Sequence, residues 1–146
     1  MNAKVNNQGH KGQCLCGAIK YTVDKIEANM GHCHCSMCRK FHGAAFATFG
    51  EAKTKNFHWV KGHESLKTYQ AENGTQRKFC NNCGSSLIFV PSNDTGELVE
   101  FTLGTLDSLV DVKPDAHIFT SHAASWYDIT DQLPQYADGR NSKLKT

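Results

Sequence analysis

The chain has 146 residues, a length suited to one domain with one core, and a formal net charge of +2. That charge is too small to support binding to nucleic acid or an acidic membrane surface. No run approaches the ~18 apolar residues of a membrane span, and the polar start MNAKVNNQGHKG lacks the apolar stretch of a secretory signal, so a cytoplasmic, reducing location is expected.

Residues 1–9 read as a loose terminus and 10–138 as one domain, with a polar, flexible tail over 139–146. From Cys14 to Val23, Ile19, Tyr21 and Val23 alternate with Ala18, Lys20 and Thr22, the period of a strand. Lys25–Asn29 reads as a turn or strand lead-in, and Ala44–Phe49 as a buried strand. Glu51–Asn56 is polar, Phe57–Val60 is a short strand closed by Gly62, and Leu66 and Tyr69 mark another. Asn73-Gly74 is a hairpin-turn signal. Strands are then expected over Arg77–Phe79, Ser86–Val90, Leu98–Leu103 and His117–Thr120, with a turn at Pro91–Gly96 and one helical turn at Asp107–Val110. Short runs at about ten-residue spacing predict a mainly β, mostly antiparallel domain.

The seven cysteines fall into three clusters: Cys14 and Cys16; Cys33, Cys35 and Cys38; Cys80 and Cys83. The odd count and the close pairs favour metal ligation over disulfides. Cys14-x-Cys16-Gly17 and Cys80-x-x-Cys83-Gly84 form a natural pair of knuckles. Each glycine permits a turn that aims backbone N–H groups at sulfur. Four thiolates close the coordination shell of a structural zinc.

Cys33-x-Cys35-x-x-Cys38 differs, because three ligands within six residues wrap one ion and leave one position open. His32, His34 and His42 are candidates for that position by proximity, although His34 sits between two ligands and its side chain is expected to point away. Three thiolates weaken zinc as a Lewis acid toward water but suit it to a soft fourth ligand. The chemistry therefore favours a thiol substrate over metal-activated water. Arg39 and Lys40 follow Cys38 and are candidate contacts for carboxylates of a bound thiol.

Trp59, Phe57 and Tyr69 are expected in the β core, and Trp126 and Tyr127 in packing. Asp107, Asp128 and Asp131 read as caps or turn residues, and His117 as a hydrogen-bonded structural histidine. Ser85 and Ser86 have no base partner in sequence.

GQCLCGAIKY at 12–21, GHCHCSMCRKFHGAAF at 31–46 and RKFCNNCGSSLIF at 77–89 resemble the glutathione-dependent formaldehyde-activating enzyme family, also called the centromere-protein-V-like domain. LGTLD at 103–107, HIFTS at 117–121 and SWYDITDQLPQY at 125–136 extend the resemblance over roughly 12–137. It implies an Mss4-like fold of stacked antiparallel sheets with two zinc ions. Cys14, Cys16, Cys80 and Cys83 would hold the structural ion, and Cys33, Cys35 and Cys38 the catalytic one. It further implies a carbon–sulfur lyase with a small thiol such as glutathione and an aldehyde such as formaldehyde as partners. The alternative is a non-catalytic zinc module that binds another molecule.

Overall fold

The computed structural model describes residues 9–145; the remainder of the expected loose ends, residues 1–8 and 146, lies outside that range. The described chain is mainly β and divides into two compact units, one of residues up to 27 and 50–112, the other of 28–49 and 113 onward. Among the described residues no helix is long and apolar enough to cross a membrane.

In the first unit, β1 (His10–Gln13) pairs antiparallel with β2 (Lys20–Val23), and β2 with β5 (Phe57–Lys61). The alternation read in the sequence is the burial pattern found: Tyr21 and Val23 face the core, Lys20 faces solvent. Tyr21 stacks on Phe57 at 5.0 Å between ring centroids, and Trp59 meets Phe57 edge-on, also at 5.0 Å. Phe101 adds a tilted ring 5.9 Å from Tyr21. Burial pushes the Tyr21 phenol up to about 12, so it stays protonated. Its hydroxyl lies 2.6 Å from Thr105 Oγ1, whose own hydrogen goes to the Thr102 carbonyl, so Tyr21 is the donor. Tyr69, expected in the core, is 54% exposed.

The same unit holds an antiparallel ladder of β6 (Leu66–Gln70), β7 (Gln76–Cys80), β8 (Ser86–Val90) and β9 (Leu98–Thr102), paired in that order. Gly74 turns the β6–β7 hairpin with φ of 91°, and the Thr75 carbonyl accepts from the Ala71 N–H. The helical turn expected at Asp107–Val110 is not there. A 3-10 turn lies earlier, at Leu103–Thr105. The N–H groups of Asp107 and Ser108 are taken by the Lys11 carbonyl, and Ser108 Oγ accepts from Lys11 N–H. Backbone pairing to β1 thus outweighs the local capping preference of Asp107.

In the second unit, β3 (Gly31–Cys33) pairs antiparallel with the start of β4 (Ala47–Lys53) and parallel with β10 (Ala116–Ile118). Between β3 and β4 lies a helix that the sequence did not signal, α1 (Ser36–His42). Gly43 ends it in the left-handed conformation, φ 61°, and donates its N–H to the Arg39 carbonyl. The strand expected from Ala44 therefore begins at Ala47 and runs on through the polar residues to Lys53. Phe119 is the one non-glycine with positive φ, 56°, among the described residues. Residues 139–145 are tied back: Arg140 bridges Asp115 at 2.7 Å, and Lys145 N–H donates to the Gln135 carbonyl.

Gly62 joins β5 to the turn before β6 with φ of 76°, and a Cβ there would overlap the Ala18 carbonyl. Gly62→Ala combines a left-handed backbone conformation that side-chain-bearing residues rarely adopt with a backbone clash. It is expected to lower the unfolding free energy by about 2 kcal/mol or more, measured by urea titration of the metal-loaded protein. A change within experimental error overturns the reading.

Candidate functional site

Cys14 follows β1 and Cys80 ends β7, 64 residues beyond Cys16 in the chain. Each knuckle is a closed turn. Gly17 donates to the Cys14 carbonyl at 3.0 Å and Gly84 to the Cys80 carbonyl at 2.8 Å, with φ of 79° and 83°. The turns present N–H groups to sulfur: Ile19 to Cys14 Sγ at 3.3 Å and Asn82 to Cys80 Sγ at 3.4 Å. Ser85 joins the two knuckles, since its Oγ accepts from Leu15 N–H at 2.8 Å and lies 3.2 Å from Cys83 Sγ. Nothing in the sequence pairs Ser85 with Leu15, because the contact spans 70 residues.

The sulfurs of Cys14, Cys16, Cys80 and Cys83 all lie within 4.8 Å of one another. Cys14–Cys16 and Cys16–Cys80 are 3.7 and 3.8 Å apart. A disulfide needs about 2.05 Å. A tetrahedral ion with sulfur bonds of about 2.3 Å needs sulfurs about 3.8 Å apart. The set therefore fits a tetrahedral thiophilic cation.

Electrostatics agree. The Ser85 hydroxyl brings the Cys83 thiol down to about 5, and the Asn82 side chain lowers Cys16, whereas burial raises Cys14. Crowded thiols share few negative charges unless a cation stands among them.

The second set is built in the other unit. Cys33 ends β3, Cys35 caps α1 and Cys38 lies in its first turn. Cys35 is extended, φ −62° and ψ 153°, and its sulfur accepts the Cys38 N–H at 3.2 Å, the place usually held by an oxygen of Ser or Asp. All three sulfurs lie within 4.8 Å of one another. Hydrogen bonding to Cys35 and Cys38, then burial, pushes the Cys33 thiol strongly up, so full ionisation here also requires a cation. Cys33 and Cys38 are buried and Cys35 is half-buried, which leaves the approach on the Cys35 side.

Of the histidines considered for a fourth position, none joins the set among the described residues. His32 Nδ1 meets Thr48 Oγ1 at 2.7 Å. His34 is 1% exposed, and its Nε2 lies 2.8 Å from His117 Nδ1. His117 Nε2 in turn lies 2.9 Å from the Asp131 carboxylate, so His117 is the hydrogen-bonded histidine expected. Asp131 also accepts the Leu133 N–H at 3.0 Å, a turn role as expected, but its bond to His117 was not legible in sequence. Burial, then the neighbouring His117, holds His34 down to about 4, and His117 draws Asp131 below the usual carboxylate range.

Arg39 is half-buried and donates from Nε to the His122 carbonyl at 3.1 Å, and Lys40 is exposed. Trp126, expected in packing, is 70% exposed; Tyr127 meets Phe46 edge-on at 5.6 Å.

A family model described as glutathione-dependent formaldehyde-activating enzyme matches residues 9–122. A putative glutathione-dependent formaldehyde-activating enzyme of Halomonas elongata is 32% identical over 130 residues, covering 82% of this chain and 80% of that protein. An uncharacterized lyase of Schizosaccharomyces pombe is 31% identical over 84 residues, 58% of this chain, and the match spans only 59% of the yeast protein. The crystal structure of a Rhodobacter sphaeroides protein superposes with a TM-score of 0.57 at 26% identity, covering 69% of this chain and 91% of that one.

The Cys83 thiol titrates below its ordinary value of 9, so its thiolate stabilises the folded metal-free chain. That contribution is full above the unfolded pKa and is lost as pH falls through about 5. Ser85→Ala removes the largest cause and is expected to raise the pH at which stability falls off. The check is the urea midpoint of chelator-treated protein measured from pH 4 to 9; identical profiles for the two proteins count against it.

Proposed function

The chain belongs to the glutathione-dependent formaldehyde-activating enzyme family, and from that premise we propose that it is a zinc-dependent carbon–sulfur lyase. It forms or cleaves an S-hydroxymethyl thiol adduct at Cys33, Cys35 and Cys38, with glutathione or another small thiol and formaldehyde or another aldehyde as partners. The observation that carries the reading is the difference between the two thiol sets. One offers four sulfurs to an ion and the other three, with no fourth His, Cys, Asp or Glu donor grouped with them among the described residues.

In this reading Cys14, Cys16, Cys80 and Cys83 would hold a structural zinc, tying the turn between β1 and β2 to the end of β7. Cys33, Cys35 and Cys38 would hold a second zinc, which when bound would supply Lewis acidity toward a soft ligand such as a substrate thiol. The chain's own residues do the rest. Cys33 and Cys38 are buried, which shields that face from water, while Cys35 borders the approach. The Cys38 N–H holds the Cys35 sulfur in place from the helix side. Arg39 and Lys40 follow directly along α1 and carry the positive charge that a thiol with carboxylates requires. Arg39 is oriented by its Nε bond to His122, which leaves its terminal nitrogens as the recognising groups.

The reaction is an addition. The thiol sulfur bonds to the aldehyde carbon, the carbon–oxygen π bond opens, and the oxygen takes up the proton lost from sulfur. The reverse direction breaks the carbon–sulfur bond. Thiols add to formaldehyde without a catalyst, so turnover has to be measured above that background.

Cys35→Ser is expected to abolish turnover while thermal unfolding stays close to that of the parent chain. Glutathione is expected to change the visible spectrum of the cobalt-substituted protein, and Cys35→Ser to remove that change. Rates at background across small thiols and aldehydes, with no spectral response, would return the chain to the alternative of a non-catalytic zinc module.

A further inference from the structure

Between the two outer thiols of Cys33-His34-Cys35 the chain places a buried imidazole. Its surroundings form a linear polar chain: Asp131 carboxylate, His117 Nε2 at 2.9 Å, then His117 Nδ1 to His34 Nε2 at 2.8 Å. Its far end, His34 Nδ1, is buried with no hydrogen-bond partner among the described residues. Buried polar groups are costly unless hydrogen-bonded, and bonded networks of them hold their side chains rigidly.

The geometry points to Asp131 as a positioning residue for the three-cysteine centre, acting through His117 and His34. An ionised carboxylate only accepts, so His117 carries its proton on Nε2. With neutral imidazoles, His117 Nδ1 is then an acceptor, and His34 must donate from Nε2. His34 Nδ1 is left bare. One exposed carboxylate thereby sets the tautomer of two buried rings.

The consequence for the thiols follows from backbone geometry. Cys33 ends a strand and Cys35 is extended, and along extended chain neighbouring side chains point to opposite faces. Fastening the His34 ring on one face holds the Cys33 and Cys35 sulfurs together on the other. The backbone is held as well: His34 N–H donates to the Ile118 carbonyl at 2.9 Å, and β10 pairs His117 with His32 and Ile118 with Cys33. His117 is itself fixed on its other side, donating its N–H to Pro134 and accepting from Tyr136. Asp131 thus belongs to a loop bolted to the strand that clamps the ligand loop. Outer residues that orient metal ligands are commonly worth about ten- to a hundredfold in metal affinity.

The inference rests on the reading of Cys33, Cys35 and Cys38 as a metal centre, but not on lyase activity. The test uses Asp131→Asn in the zinc-loaded full chain. Asp131 Oδ1 accepts the Leu133 N–H at 3.0 Å, so the asparagine keeps its oxygen there and turns its amide toward His117 Nε2. Donor then faces donor across the shorter, 2.9 Å contact, with the retained oxygen 3.2 Å from Nε2 as the weaker competing acceptor, and exchange of both ring protons is the expected result. Nitrogen NMR of histidine-labelled protein at pH 8 is expected to show His34 with a bare Nδ1 in the parent chain and a protonated Nδ1 in Asp131→Asn. Competition with a chromophoric chelator is expected to show the second zinc held about tenfold more weakly in Asp131→Asn, with the first zinc unchanged. Asp131→Ala should weaken the second zinc without reversing the rings, and Asp131→Glu should restore part of the affinity. A protonated Nδ1 in the parent, a parent chain that holds no second zinc, or unchanged affinity in Asp131→Asn overturns the proposal. If these results hold while carbon–sulfur chemistry stays at background, the positioning role stands and the lyase reading alone falls.

Discussion

Thiols that lie within contact of one another cannot all ionise in the absence of a positive charge. That constraint governs both halves of this molecule. In the first unit, four sulfurs lie within 4.8 Å of one another, with Cys83 drawn down by the Ser85 hydroxyl, Cys16 by the Asn82 side chain, and Cys14 pushed up by burial. In the second, Cys33 is driven far up by the two sulfurs beside it. A thiophilic cation would remove the conflict in each, because it would turn mutually repelling thiolates into ligands of a common charge. The folds around them hold each set of sulfurs close together.

The two sets are made firm in different ways. The four-thiol set is held by glycine turns and by one hydroxyl, Ser85, that reaches from one knuckle to the other. Its strands need only bring two preformed turns together. The three-thiol set lies on a single short stretch running from the end of β3 into α1, and its precision comes from what clamps that stretch. β10 supplies backbone pairing, and His117 supplies a side-chain anchor for His34. Phe119, in a left-handed conformation directly after β10, is a local strain that such packing sustains. The unit that carries the more open thiol set is thus also the one with the more elaborate polar interior.

The β elements were legible wherever alternation and turn chemistry agreed. Ser86–Val90 is a strand end to end, and Asn73-Gly74 turns the hairpin it signals. Local preference gave way where one long-range partner overrode it. Asp107 was expected to cap a helical turn, but pairing with Lys11 claims its backbone. Helix α1 escaped notice because its N-cap is a cysteine, which reads as a ligand and not as a cap. Trp126 and Tyr69 were expected to be covered because large aromatic side chains usually are, yet each is exposed.

The sequence by itself determined the grouping of the seven cysteines, the mainly β class and the family, since spacing within a turn and period within a strand are local properties. It also supported the expectation that His34, flanked by Cys33 and Cys35, stands apart from their sulfurs, and His34 is not grouped with them. Only the tertiary structure decided what His34 faces instead. His117 and Asp131 are 83 and 97 positions further along the chain. No local rule connects a carboxylate in a late loop to a thiol pair near the beginning. Parallel pairing of β10 with β3 brings His117 to His34, and the turn at Leu133 brings Asp131 to His117. Hydrogen-bond direction along that line, and with it the aim of the thiols, is a property of assembled donors and acceptors and not of residue order.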